Sequence, residues 1–380
     1  MAYSRCALLA HREDFPVQNA SRPLIFDGHN DVLLRLWSLQ REDAHTCFLE
    51  GDGLGHLDFP RIRQAGFGGG LFAIFVPPQK SGSLNLDAMN TPVKSAGNSP
   101  GYSLPLPEPI AESAALEVVM QQAALLSRIE QSSNDQARIC LTAADVRECL
   151  QAEKLAMVMH IEGAEAIDTK FYNLDVLYRA GLRSVGLVWS RPTVFGHGVP
   201  FRFPATPDTG DGLTTHGKAL VGALNEYRMV IDLSHLNEKG FWDVARLSTA
   251  PLIATHSNAH VLCESSRNLT DEQLAAIRDS DGMVGVNFGT CFLRDDGRMR
   301  ADTALDTILS QIDYLLEHVG EHRVGFGSDF DGAVVPAEMG DVTGLVALRD
   351  AMKARGYSES LLDQLCHENW LAALERTLGA

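Results

Sequence analysis

The chain has 380 residues, 45% of them hydrophobic and 21% charged, with a formal net charge of −17. That apolar share is enough for a large globular core, and an α/β barrel routinely exceeds about 250 residues as one unit. The acidic balance argues against nucleic acid as a main partner, because phosphate binding needs a basic face.

The N-terminus carries only a short apolar patch, Cys6 to Ala10, without the apolar region of a signal peptide. Eight apolar runs then follow in chain order and read as buried parallel strands. They are expected at Leu24–Asp27, Gly70–Val76, Ala156–His160, Ser184–Val188, Met229–Leu233, Leu252–Thr255, Met283–Asn287 and Arg323–Gly327. Helices are expected between them. Ala111 to Gln131 reads as one, and Thr142 with Asp145 forms a capping box for the segment to Glu153. Thr214 or Thr215 caps a helix to Tyr227, and Thr270 caps another. Apolar residues are spaced helically from Leu305 to Val319, and Ser358 to Leu378 closes the chain as one or two helices. Strand–helix alternation repeated eight times predicts a single (β/α)₈ TIM barrel over residues 1–380. Two insertions rich in Pro and Gly, 77–110 and 190–213, follow strands and are expected as partial lids over the C-terminal face.

The seven cysteines are widely spaced and form no CxxC pair. They point to buried free thiols rather than a zinc ribbon or a redox motif. No stretch of about 18 apolar residues is present, so no membrane span is expected. A soluble, cytoplasmic protein is the expectation.

The chemistry-bearing residues cluster at strand ends. DGHND places His29 and Asp31 just past the first strand, two apart and so projecting the same way. HIEG places Glu162 past the third strand, LSH places His235 past the fifth, ATHSN places His256 past the sixth, and GSDFDG places Asp329 past the eighth. In a barrel these ends converge on one cavity. Imidazole and carboxylate donors suit zinc. Six such groups are more than one tetrahedral ion needs, so two Zn²⁺ are expected. Glu162 is the natural bridge, between His29 and Asp31 for one ion and His235 and His256 for the other. Two ions sharing a hydroxide would lower its pKa and supply a nucleophile. Asp329, left over, would accept its proton and pass it to a leaving amine. Singly, a strand-end His reads more simply as a core residue and a strand-end Asp as a helix N-cap. Five strand ends together favour the metal. His367, on the closing helix, lies away from these ends and is not counted as a ligand.

These motifs resemble the membrane (renal) dipeptidase family of zinc metallopeptidases, among the amidohydrolase-like barrels. The resemblance runs from about Leu24 to Leu378 through DGHND, HIEGAEAI, IDLSH, THSNAH with SSRN, and GFGSDFDG. It implies His29, Asp31, Glu162, His235 and His256 as zinc ligands with Glu162 bridging, and Asp329 as the proton-transferring acid/base. It implies Arg267, in SSRN, as the group that holds the substrate carboxylate in a planar fork. The expected reaction is hydrolysis of a dipeptide with a free C-terminus. The resemblance extends it to L-Xaa-D-Xaa substrates and to β-lactam opening as a side activity, with a homodimer as the expected assembly. One departure stands out. The family carries a substrate-contacting His past the fourth strand, where this chain has Trp189 in VGLVWS. An indole donates one hydrogen bond but neither accepts nor titrates. His197 or His260 is the candidate replacement, and specificity is where the change should show. The alternatives are a deacylase of N-acyl amino acids and a non-catalytic metal-dependent binding protein. Retention of Asp329 speaks against the latter, since binding alone needs no proton shuttle.

Overall fold

The structure, a computed structural model, describes residues 24–78, 86–90, 93–94 and 100–379. Cys6 and the N-terminal apolar patch lie outside these residues, as do parts of the first insertion.

Eight parallel strands form the centre: β1 (Ile25–Asn30), β2 (Phe67–Phe75), β3 (Leu155–Glu162), β4 (Leu182–Gly186), β5 (Val230–Asp232), β6 (Ile253–Ala254), β7 (Met283–Val286) and β8 (Val324–Phe326). β1 pairs with β2, and β2 pairs with β3 from Gly69↔Ala156 to Phe75↔Glu162. The ladder continues through β7 to β8, and β8 returns to β1 through Asp27↔Phe326, closing the barrel. All eight expected strands are present. β1 and β3 run further than their apolar cores, so that His29 and Glu162 belong to the strands themselves. A short parallel strand, Ala137–Ile139, pairs with the first residues of β3. Its three residues include a charged Arg138, too little pattern to reveal a strand.

Buried β-branched and aromatic side chains fill both faces of the strands, as parallel sheets covered by helices require. β1, β2 and β3 are buried along their whole length. The expected caps are in place. Thr142 with Asp145 and Thr270 with Gln273 form reciprocal capping boxes, and Thr214 caps Thr215–Glu226 by accepting from the Gly217 N–H. The closing segment forms Glu359–Asp363, a π-helical turn over Gln364–Glu368, and Asn369–Leu378. Its Trp370 is fully buried and donates from Nε1 to the Phe326 carbonyl at 2.9 Å. A Cβ on Gly28 would sit 2.3 Å from this indole, so only glycine lets β1 pass it.

The two insertions pair with each other. Pro100–Ser103 is the middle strand of a small antiparallel sheet, between Val93–Lys94 and Arg202–Phe203. Tyr102, Leu104, Phe201 and Phe203 then bury themselves with Phe292 and against Trp189. The described parts of the insertions thus form a small sheet with its own apolar cluster. Among the described residues no helix is long and apolar enough to cross a membrane.

Candidate metal centre

The barrel brings the C-terminal ends of β1, β3, β5 and β6 together, and the side chains there are almost wholly buried. His29, Asp31, Glu162, His235 and His256 are each at most 5% exposed, and Asp329 is 9% exposed. Three imidazoles face one carboxylate oxygen. Glu162 Oε1 lies 3.0 Å from His235 Nε2, 3.3 Å from His256 Nε2 and 3.8 Å from His29 Nε2. The two imidazole nitrogens of His235 and His256 are 3.2 Å apart. His29 stacks on His256 with ring centroids 3.7 Å apart, and its Nε2 is 3.3 Å from Asp31 Oδ2.

The backbone is bent to achieve this. His235 (φ +66°), Asp329 (φ +59°) and Asp331 (φ +67°) adopt left-handed conformations, which cost non-glycine residues energy and concentrate at functional sites. At Gly332 a Cβ would fall 2.1 Å from Asp31 Oδ2 and 2.5 Å from Asp329 Oδ1. The turn after β8 needs glycine because two carboxylates occupy that space. Asp31 stands at the N-terminus of the helix Val32–Ser38 yet makes no side-chain capping bond. Its carboxylate is turned to the cavity, and the simple N-cap explanation does not apply.

This donor set fits metal ions. Both ring nitrogens of His29 and Asp31 Oδ1 are buried without a hydrogen-bond partner in the protein, a costly state that a cation relieves. The contacts among His235, His256 and Glu162 span 3.0 to 3.3 Å. Tetrahedral zinc with bonds of about 2.0–2.1 Å separates its ligand atoms by about 3.3 Å. Two of the groupings capable of holding an ion are Glu162–His235–His256 and His29–Asp31–Asp329. The first is the set expected for one ion. In the second, Asp329 comes as close to His29 and Asp31 as a ligand would. A third grouping, His29–Asp232–His256, is less open, because Asp232 already accepts several hydrogen bonds within the protein.

Burial sets the protonation states. It raises the Glu162 carboxyl well above its ordinary range, with the Asp31 and Asp329 charges adding to the effect. Asp31 is pushed up to about 7 by burial and by Asp331. Burial, with Asp31, raises Asp329 as well. The imidazoles of His29, His235 and His256 shift down, mainly by burial. Without cations the centre therefore favours neutral groups, and metal binding would displace protons from the carboxyls.

Around the centre stand residues that sequence reasoning passed over. Asn287 donates to Asp329 Oδ2 at 2.9 Å. Ser190 Oγ lies 2.9 Å from His235 Nδ1. Asp27, the first Asp of DGHND, accepts from the Ser328 N–H and hydroxyl, each at 2.7 Å, and so anchors the turn that carries Asp329. His160 stands two residues before Glu162 on β3 and contacts the His29 ring edge-on at 5.5 Å. The signal that could have found it is the alternation of a strand, which puts His160 and Glu162 on one face.

Arg267 is 4% exposed. It donates to Ser257 Oγ at 2.8 Å and to the His256 carbonyl at 2.9 Å, and its Nε is buried without a partner. Trp189 packs 4.9 Å from Phe75, 5.5 Å from Phe201 and 5.7 Å from the His235 ring. It is thus part of the wall beside His235. His197 lines a cavity of about 530 Å³ with Leu104, Pro200, Arg202 and Asp208. His260 is held by the Ala205 carbonyl at 2.9 Å. His367 borders a separate surface depression with Leu24 and Arg147.

A (β/α)₈ barrel with buried His and carboxylate clusters at the C-terminal strand ends defines the class of metal-dependent hydrolase barrels. Residues 17–378 match the model of the membrane dipeptidase family (peptidase family M19), and the chain belongs to that family. A metallopeptidase from Rhodobacter sphaeroides, solved with a phosphinate mimic of the dipeptide L-Ala-D-Ala, is 52% identical with a TM-score of 0.89. The match covers 94% of this chain and 99% of that one. An uncharacterized protein in the pqqA 5′ region of Klebsiella pneumoniae is 50% identical over 68% of this chain and 96% of its own length. Dipeptidase AtaJ of Aspergillus terreus is 27% identical over 93% of this chain and 84% of its own length. The chain is a metallo-dipeptidase.

Proposed function

We propose that the enzyme is a binuclear zinc dipeptidase that cleaves dipeptides with a free C-terminal carboxylate, L-Xaa-D-Xaa among them. The observation that carries this reading is the convergence of His29, His235 and His256 on Glu162 Oε1, with Asp31 beside His29. His29, Asp31 and Glu162 would hold one ion, and Glu162, His235 and His256 the other. Charge supports cations here. Glu162, Asp232 and Asp329 are buried near Arg267, with Asp31 beside them. In ionised form they carry an excess of negative charge that divalent cations would offset. When bound, the ions supply Lewis acidity and the power to ionise water near neutral pH.

The protein's own groups do the rest. Arg267 presents an unpaired Nε–H and a guanidinium fixed from behind by Ser257 and the His256 carbonyl, ready for a substrate carboxylate. Asp329 is oriented by Asn287 through Oδ2. Its raised proton affinity suits a group that takes a proton from attacking water and delivers it to the leaving nitrogen. The scissile C–N bond breaks, the acyl carbon gains the water oxygen, and the amine leaves with the proton from Asp329. Trp189, Phe75 and Phe201 form an apolar wall against which a substrate side chain packs. The L-Ala-D-Ala mimic held by the Rhodobacter sphaeroides relative supports inclusion of D-residues at the second position.

A library of L,L- and L,D-dipeptides and N-acyl amino acids, assayed with zinc-loaded enzyme, tests the reading. Turnover of dipeptides supports it. Turnover of N-acyl amino acids alone would make the enzyme a deacylase instead.

A further inference from the structure

We propose that Asp232, acting through the Thr255 hydroxyl, fixes the tautomer of His256 so that its Nε2 presents a lone pair to the metal centre. The inference rests on the reading of His256 as a ligand. Asp232 ends β5 and is 1% exposed. Its Oδ1 accepts from the backbone N–H of Ser234 at 3.0 Å and of Thr255 at 2.9 Å, and its Oδ2 accepts from Thr255 Oγ1 at 2.7 Å.

A threonine hydroxyl has a single proton. With that proton given to Asp232, Thr255 Oγ1 can only accept from His256 Nδ1, which lies 2.8 Å away. The imidazole proton therefore sits on Nδ1, and Nε2, 3.3 Å from Glu162 Oε1, keeps its lone pair turned to the centre. A carboxylate behind a ligating imidazole fixes its ring and raises its basicity; here a hydroxyl is interposed between the two. Ser234 anchors the same residue from the main chain, its Oγ accepting the His256 N–H at 3.1 Å. His235 is held differently. Its Nδ1 meets the Ser190 hydroxyl at 2.9 Å, with no carboxylate hydrogen-bonded to that hydroxyl among the described residues. Asp232 is thus a positioning residue, and His256 is the more firmly preset of the two imidazoles.

The Asp232→Asn substitution tests the direction of this relay. The Asn side-chain oxygen can keep both backbone bonds, while its amide donates to Thr255 Oγ1. The hydroxyl then donates to His256 Nδ1, and the imidazole proton moves to Nε2. Thr255→Val removes the link with little change of shape, and Thr255→Ser restores the hydroxyl. The ¹⁵N-histidine spectra of the metal-stripped proteins, with His256 assigned by its loss in His256→Gln, report the tautomer. Competition with a chromophoric chelator reports zinc affinity.

We expect the Nδ1–H form in the wild type and Thr255→Ser, and the Nε2–H form in Asp232→Asn. Zinc affinity should fall about 10- to 100-fold in Asp232→Asn and Thr255→Val and recover in Thr255→Ser. A wild type that takes up zinc, paired with an Asp232→Asn protein of unchanged tautomer and affinity, would overturn the inference alone. A wild type that binds no zinc, or binds it equally well without His256, would overturn the metal-centre reading and the inference together.

Discussion

His235 Nε2 and His256 Nε2 lie 3.2 Å apart, too close for two imidazole lone pairs facing each other without a cation or proton between them. Glu162 Oε1 completes the triangle at 3.0 and 3.3 Å. The arrangement is a cluster of neutral bases and raised carboxyls aimed at a common space, and the consequences can be measured.

Removing metal should cost stability. With the ions stripped by a chelator, Asp31, Glu162 and Asp329 stay buried side by side only by taking up protons, and the stabilisation that bound cations supply is lost. Ligand linkage gives about 4 kcal/mol for a ligand at 1,000 times its Kd. Thermal unfolding of the wild type should therefore fall by several degrees on chelation and return with zinc. Glu162→Gln should lose this dependence, and its metal-free form should be no less stable than metal-free wild type.

Asp329→Asn should keep its metal and lose turnover. Asn tolerates the left-handed backbone at this position and fits the space, but cannot transfer the proton. A drop of about 10²- to 10⁴-fold in kcat is expected, with KM little changed and zinc content intact by mass spectrometry. Equal losses of zinc and activity would make Asp329 a ligand first, in line with its place beside His29 and Asp31.

Arg267→Ala should act on binding. A hydrogen bond to a charged group contributes about 1.5–3 kcal/mol, so kcat/KM should fall about 10- to 100-fold, chiefly through KM. The same loss should appear when wild type is given a dipeptide with an amidated C-terminus. The variant and the amide together should lose little more than either alone.

Stability at high pH should reflect buried thiols, Cys263 and Cys366 among them. Burial pushes Cys263 and Cys366 up to about 12, from an ordinary value of 9.0. Above pH 9 these thiols ionise in the unfolded chain but not in the folded one, so the unfolded state binds fewer protons. Stability present below pH 9 is then lost as pH rises toward 12. Denaturant titrations across this range should show the decline, and replacing both cysteines with Ala should make it shallower. In the native protein both thiols should resist a disulfide reagent at pH 8 until denaturant is added.

Much of the centre was legible in the sequence because parallel strands are continuous apolar runs. The residue that ends such a run faces the barrel mouth wherever the strand stops. DGHND, HIEG, LSH and ATHSN could be placed on that basis alone, and the caps at Thr142, Thr214 and Thr270 followed from local hydrogen-bonding rules. Asp232, Thr255 and Asn287 were not legible, because each lies within or beside an apolar run and its role comes from a neighbouring strand. Thr255 acquires meaning only through the pairing of β5 with β6, which sets Asp232 opposite Ile253. The pairing of the two insertions was hidden for a similar reason. Tyr102 and Phe203 are 101 residues apart in sequence, and only the closed barrel brings them into register.

The proposed pair of cations is the central claim. Metal analysis of purified, zinc-equilibrated wild type beside Glu162→Gln tests it most directly. Two zinc ions per chain are expected in the wild type, and loss of at least one in the variant, together with loss of dipeptide hydrolysis. A wild type with full dipeptidase activity and no more than one ion per chain, or a Glu162→Gln protein that keeps both ions, would contradict this.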